Sequence, residues 1–450
     1  MLRRTIEKEI DDFLLNGKNE VLLVTGARQV GKTYIINQRA HALYKNVVEI
    51  NFIMDPKKTT LFENVSSAED ILLRISAIPE VTLIPGETVI FLDEVQEAKE
   101  IVTAAKFLAM DSRYKFIMSG SLLGIELRDI RSVPVGYLRI LEMFPLTFFE
   151  FCRANGLSDM VMDAIGSAFQ ERKPMDEFVH SKLMELFYLY LIVGGMPAAV
   201  STYLDSKNIR DVIRVQSDIL ETYKRDISKY DLEDKLYLKE IFELIPSELN
   251  AKNKRFIMKK LNENFKFSRY ENSFIWLKDA GVALPCFCAQ EPLSPLMLSR
   301  STNLFKLFLN DVGLLTCMYA DGLQLDILSG KINMNFGSIF ENAVAQQLTA
   351  GGYPLYYYNS NRQGEVDFLI EHQGHVLPIE VKSGKNYQRH AALNHVLNNP
   401  RYDIPYGIVL TTENLRIEEK VFYYPIYMAG FFQRNPITED MVYEVDLSGL

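Results

Sequence analysis

The run Gly26-Ala27-Arg28-Gln29-Val30-Gly31-Lys32-Thr33 places a glycine, four residues and then Gly-Lys-Thr. That spacing is the phosphate-binding loop pattern. Its glycines let the backbone turn tightly and bring N–H groups onto phosphate oxygens. Lys32 would reach the outer phosphates and Thr33 would ligate magnesium. The helix expected from Tyr34 to Leu43 adds the positive end of its dipole at the same place. Further on, Thr88-Val89-Ile90-Phe91-Leu92-Asp93-Glu94 is an apolar strand ending in two acids. Asp93 would complete the magnesium site and Glu94 would polarise an attacking water. Lys115 to Ser121 reads as a third strand with a polar end, and Ser119 or Ser121 would contact the terminal phosphate or the water; Ser-Gly-Ser is also ordinary turn chemistry. The nucleotide-binding set is therefore Gly26 to Thr33 with Asp93 and Ser119.

A second constellation lies near the other end. Gly364 to Ile370 and Val376 to Lys382 read as two strands around the turn His372-Gln373-Gly374. Alternation sends Val366, Phe368 and Ile370 to one side and Asp367 to the other. Likewise Ile379 and Val381 face one way, Glu380 and Lys382 the other. The hairpin would gather Asp367, Glu380 and Lys382, with Glu341 brought in by a preceding helix that runs to about Ala350. Carboxylates so placed suit magnesium or manganese, with Asp367 and Glu380 as ligands and Glu341 assisting. Lys382 would orient a metal-bound water or offset charge on a phosphate. This is the set of a metal-dependent phosphodiesterase; a salt-bridged polar strand face has the same pattern. His372 and His375 read as surface residues at the turn tip, and His390 and His395 as residues of a helix.

These residues need a scaffold. Strands near 20–25, 47–52, 88–93, 114–119 and 138–143 alternate with helices, which predicts a parallel sheet covered on both faces over residues 1–145. The loop, the Asp-Glu pair and the Ser-Gly-Ser turn all fall at strand C-termini, where such sheets bind ligands. Residues 146–232 read as helical. In 233–330, three helices precede strands at Gly281–Pro285 and Phe305–Leu309, the order of a winged helix. Lys252, Lys254, Arg255, Lys259, Lys260, Lys266 and Arg269 give that stretch a basic bias that suits DNA contact or a solvated packing face. Residues 331–450 form a further α/β unit.

The chain has 450 residues, 48% hydrophobic and 24% charged, which is ordinary globular composition with room for several cores. Its net charge of −9 confines any nucleic-acid site to a local patch. Cys152, Cys286, Cys288 and Cys317 lack paired metal spacing and predict reduced thiols and a cytoplasmic setting. Leu186 to Leu204 carries no charge, yet Gly194-Gly195-Met196-Pro197 divides it, which predicts two buried helices and no membrane span.

Together these motifs resemble the prokaryotic AAA-type ATPases that bear a C-terminal restriction-endonuclease-like domain. The resemblance covers nearly the whole length. It rests on the loop at 26–33, Leu-Asp-Glu-Val-Gln at 92–96, Ser-Gly-Ser at 119–121 and Phe-Pro-Leu-Thr-Phe-Phe-Glu-Phe at 144–151. It rests also on Gly-Gly-Met-Pro at 194–197, Asn-Asp-Val-Gly-Leu-Leu at 310–315 and the Glu341, Asp367, Glu380, Lys382 set. Many relatives carry Gly-Arg where this chain has Gly136-Tyr137. The resemblance implies an α/β fold with an AAA-like core, a helical and winged-helix middle and a nuclease-superfamily end. It implies ATP and Mg2+ as cofactors, Mn2+ as a second choice at the nuclease-like site, DNA or a protein as partner, and a homo-oligomer of the kind AAA proteins form. Arg128, Arg131 and Arg139 would each suit an arginine finger on a neighbouring subunit's nucleotide; each also reads as a surface charge.

Overall fold

The computed structural model describes residues 2–98, 100–121, 136–227, 232–251, 271–319, 322–328, 336–360, 362–384 and 386–434. The expected arginines at 128 and 131 and the basic set at 252–269 lie outside them.

β1 (Val21–Thr25), β2 (Asn46–Asn51), β3 (Thr88–Asp93), β4 (Lys115–Ser119) and β5 (Leu138–Glu142) form a parallel sheet in the order β2-β3-β4-β1-β5. Their apolar runs are continuous because both faces are covered. In β3, Val89 and Phe91 enter one core while Ile90 and Leu92 enter the other. α1 (Glu7–Asn16), α2 (Lys32–Leu43), α3 (Ala68–Ser76) and α4 (Glu100–Met110) supply the covering faces. Ser67 caps α3 by accepting from the Asp70 N–H.

A helical layer follows: α5 (Phe148–Ala154), α6 (Asp159–Glu171), α7 (Glu177–Val193), α8 (Pro197–Ser206), α9 (Ile209–Ile227), α10 (Leu232–Asn250) and α11 (Glu271–Asp279). Thr147 and Glu150 close a capping box on α5. The uncharged stretch falls in the end of α7 and in α8, which are bent by 119° at Gly-Gly-Met-Pro, and no single helix among the described residues is long and apolar enough to cross a membrane.

The third part is an eight-stranded mixed sheet in the order β12-β13-β11-β10-β9-β8-β6-β7. Its strands are β6 (Ala283–Ala289), β7 (Arg300–Leu309), β8 (Leu355–Ser360), β9 (Gly364–His372), β10 (His375–Val381), β11 (Gly407–Thr411), β12 (Arg416–Glu418) and β13 (Val421–Pro425). α12 (Val312–Met318), α13 (Leu323–Leu328), α14 (Gly337–Ala350) and α15 (Ala391–Leu397) complete it. The hairpin expected as the wing of a winged helix is β6–β7, and it is built into this sheet through parallel pairing of β6 with β8. Residues 283–309 and 355–425 thus share one set of backbone hydrogen bonds across the expected division near 330.

The parts are locked by a buried polar seam. Asp311 accepts from the Gly195 N–H at 2.6 Å and the Leu314 N–H at 3.0 Å. Burial pushes its carboxyl up to about 6. Gln346 and Gln347 of α14 donate to the Tyr190 hydroxyl at 2.9 and 3.1 Å, and Tyr190 donates to Leu146 O at 2.7 Å. The aromatic motif at 144–151 therefore joins all three parts, with Phe148 against Phe187, Tyr190 and Tyr427.

Candidate functional site

The loop between β1 and α2 runs through positive φ at Gly26 (132°), Gln29 (65°) and Gly31 (96°). At Gly26 a Cβ would run into the Met143 carbonyl, so the residue type is dictated by close approach as well as by φ. Lys32 is buried, and its ammonium donates to Gly26 O at 2.9 Å and Ala27 O at 2.8 Å. Burial lowers its pKa to about 8, with Glu94 and Asp93 opposing the shift, so it remains largely cationic at neutral pH. The Thr33 hydroxyl donates to Asp93 Oδ2 at 2.9 Å, and Asn51 Nδ2 donates to the same oxygen at 2.8 Å. Ser119 donates to Asp93 Oδ1. Burial raises the Asp93 pKa against those hydrogen bonds. Glu94 sits at φ 58° beyond the strand, with Oε2 accepting from Gln96 Nε2 at 2.6 Å and from the Ser121 hydroxyl at 3.4 Å. Three adjacent parallel strands therefore bring Lys32, Thr33, Asp93, Glu94 and Ser119 to one sheet edge. The loop N–H groups and Lys32 fit nucleotide phosphates, and the Thr33–Asp93 pair fits magnesium.

The loop is held from outside the sheet as well. Arg28 donates to Asp226 Oδ1 at the end of α9 at 2.8 Å, and to the Ser121 hydroxyl at 3.4 Å. Tyr223 of α9 donates to Arg28 O at 3.4 Å. On another side Gly281, just before β6, packs so close that a Cβ there would sit 2.9 Å from Ala27 N. A cavity of about 400 Å³ opens between the loop and the C-terminal sheet, lined by Gly26, Ala27, Ser121, Gly281, Phe287 and Tyr356 among others.

The carboxylate constellation also assembles. Ile379 lies opposite Phe368 in the β9–β10 register, which places Glu380 beside Asp367. Asp367 Oδ2 accepts from the Val381 N–H at 2.9 Å, and Lys382 donates to Glu380 Oε1 at 2.6 Å. Burial, then the Asp367 charge, pushes the Glu380 carboxyl up to about 8. Val366 leaves the expected alternation: it packs with Leu393 and Val396 of α15, while Phe368 and Ile370 join the main core. A register irregularity between Tyr356 and Tyr358 in the β8–β9 pairing accounts for the slip.

Sequence reasoning did not include Lys306. It comes from β7 and is fully buried, with Nζ 2.8 Å from Glu365 Oε1, 3.6 Å from Glu341 Oε2 and 3.8 Å from Asp367 Oδ1. Burial works against its charge, but Glu341, Glu365 and Asp367 outweigh that and hold the ammonium well above the usual lysine range. Glu380 Oε2 is a buried oxygen with no hydrogen-bond partner, which a cation would satisfy. Yet an ammonium already stands among the other carboxylates. Among the described residues no group of three or more His, Cys, Asp or Glu is arranged to hold a metal. The cluster as built does not fit Mg2+ or Mn2+.

Other expected residues fall elsewhere. Arg139 pairs with Asp12 of α1 at 2.9 Å from the β5 strand, opposite Leu22 and away from the loop edge. His372 is half-buried against Phe432 and meets the Tyr353 hydroxyl at 2.5 Å, not a free surface residue. Cys286 and Cys288 are buried in β6, as core residues. Asn51, Gln96 and Asp226 were missed as well. Asn51 ends the strand next to β3, a placement that strand order alone would have revealed; Asp226 carries no such local signal.

Residues 18–152 match the family described as an AAA domain. Residues 184–326 and 336–428 match two domains of unknown function, DUF8612 and DUF4143, descriptions that assign no chemistry to either. An uncharacterized protein of Methanocaldococcus jannaschii is 24% identical over 435 residues, covering 93% of this chain and 86% of its own. Among solved structures, a Walker-type ATPase of Pyrococcus abyssi is similar over 71% of this chain and 96% of its own, with 14% identity and a TM-score of 0.42. Cdc6p from Pyrobaculum aerophilum is similar over 74% and 97%, with 12% identity and a TM-score of 0.25. The family match and the geometry of the loop agree: the first part of this chain is an AAA-type P-loop ATPase domain.

Proposed function

We propose that the chain is an ATP-hydrolysing switch whose nucleotide state is passed to the helical layer and the C-terminal sheet. Loop residues Gly26 to Thr33 hold the phosphates, with Lys32 on the outer ones. Thr33 and Asp93 would hold magnesium, whose charge would offset that of the phosphates. Glu94, positioned by Gln96 and Ser121, polarises the water that attacks the terminal phosphate, and Ser119 keeps Asp93 oriented. The single observation behind the coupling is the Arg28–Asp226 ion pair at 2.8 Å, in which a loop residue is tied to another part of the fold. Ser121 touches both Arg28 and Glu94, so the acid that meets the water and the helix α9 share one short polar chain. The output favoured by the basic residues between 252 and 269 is salt-sensitive DNA binding, with a protein partner as the other outcome.

Hydrogen exchange tests the coupling. A non-hydrolysable ATP analogue should change protection in α9 and at 281–289 of the wild type, and Asp226→Asn should keep nucleotide binding but lose that response. Unchanged exchange in a nucleotide-loaded wild type would sink the proposal.

A second reading, a metal-dependent nuclease acting on DNA, is favoured by one observation, the gathering of buried Glu341, Asp367 and Glu380 with the partly exposed Lys382. In that reading Asp367 and Glu380 would hold the metal, with Glu341 assisting and Lys382 orienting a water. DNA cleavage that vanishes in Asp367→Ala would support it.

A further inference from the structure

Lys306 is the residue that decides between those readings. Its side chain is completely enclosed, and β7, which carries it, lies at the edge of the same sheet as β9 and β10. The three carboxylates around its Nζ come from two elements: Glu341 from α14, Glu365 and Asp367 from β9. Below it the Tyr357 ring lies 5.0 Å from the ammonium. Asn359 Nδ2 occupies the other oxygen of Glu365 at 2.6 Å. Among the described residues, the ion-pair partners of the ammonium are these three carboxylates.

A divalent cation binds carboxylate oxygens at roughly 2.0–2.6 Å and needs several of them at once. Asp367 is one of the two ligands that the nuclease reading assigns to a metal and Glu341 the acid that assists it, and both already face the ammonium. Bringing a second cation among them would place two like charges in a space with little water to screen them.

We infer that the Lys306 ammonium is the resident cation of this cluster and stands in place of a divalent metal, so that the C-terminal part keeps a nuclease-like carboxylate arrangement without metal-dependent cutting. The lysine holds Glu341, Glu365 and Asp367 together, and the cluster ties β7 by its side chain to β9 and α14.

The test is Mn2+ binding by the full chain without nucleotide, followed by electron paramagnetic resonance of free Mn2+ and by thermal melting in EDTA or Mn2+. All proteins carry Thr33→Ala to silence the nucleotide site. With Lys306 present, the expected result is no stoichiometric Mn2+ site, a melting shift under about 1 °C on adding Mn2+, and no change in either when Asp367→Asn is added. Lys306→Met should melt lower in EDTA, recover part of that loss in Mn2+, and bind Mn2+ at least about tenfold more tightly than its parent. One Mn2+ per chain held by the Lys306-containing protein and lost in Asp367→Asn would overturn the inference. That comparison stands even if Lys306→Met fails to fold. Because no nucleotide is present, the result decides the cluster independently of the coupling proposed above.

Discussion

The phosphate loop and the carboxylate cluster both gather charged side chains at strands of a sheet, but they meet those charges in different ways. At the loop, Lys32 is turned onto backbone carbonyls at 2.8–2.9 Å, partners that give up little when an anion arrives. Its acids, Asp93 and Glu94, are held by hydroxyls and amides and not by a cation. In the cluster, Lys306 faces Glu341, Glu365 and Asp367 directly, and the charges answer one another. A site that works on a ligand keeps its charges available to it; carboxylates already paired with a buried lysine have less to offer. Similar residue types therefore support different conclusions, and the arrangement of the opposite charge is what separates them.

The sharpest way to break this contrast is to remove each lysine. Lys32→Ala should lower ATP hydrolysis by at least about 100-fold, because the outer phosphates lose their cation in the transition state. Its effect on urea unfolding should be small. Lys306→Met should do the reverse. Leaving buried carboxylates uncompensated should cost about 3–5 kcal/mol of unfolding free energy, with ATP turnover per folded molecule close to wild type. Equal stability losses in the two variants would erase the distinction.

A pH series sharpens it further. The Glu380 carboxyl is raised from 4.5 to about 8, so the folded protein holds a proton there that the unfolded chain releases. That contribution is complete below about pH 4.5 and is lost as pH rises through about 8. Stability should therefore decline with rising pH across that window, and Glu380→Gln should flatten the decline. An unchanged slope in the variant would place Glu380 among ordinary carboxylates.

The smallest expected effect lies at the connection between parts. Asp226→Asn removes the charge that meets Arg28 but leaves the loop residues in place. The Michaelis constant for ATP should move by about two- to fivefold, a coupling of roughly 1 kcal/mol, measured by steady-state hydrolysis.

The degree to which each region could be read from sequence follows the same division. The five strands of the first sheet were legible to within a residue or so, because continuous apolar runs between helices have one reading in a parallel sheet. The loop was legible because its chemistry is packed into eight consecutive residues. Asp367, Glu380 and Lys382 were legible as neighbours because a hairpin with a two-residue turn fixes its own register. Lys306 was not, since its place depends on β6 pairing with β8 some 70 residues away, and no local spacing reports such a pairing. Asp226 and Asp311 were hidden for the same reason: each finds its partner across the fold, at Arg28 and at Gly195. The strands β11 to β13 were not assigned, although Ile408-Val409-Leu410 and Phe422-Tyr423-Tyr424 carry the β-branched and aromatic signal of buried strands.

The contrast can be put to one measurement: ATP turnover and DNA cleavage assayed side by side on plasmid and single-stranded DNA, in magnesium and in manganese, with wild type, Lys32→Ala and Asp367→Ala. The account predicts ATP turnover that is lost in Lys32→Ala and kept in Asp367→Ala, and intact DNA in every reaction. Cleavage by the wild type that disappears in Asp367→Ala would contradict it, and would show that the carboxylates around Lys306 do admit a catalytic metal.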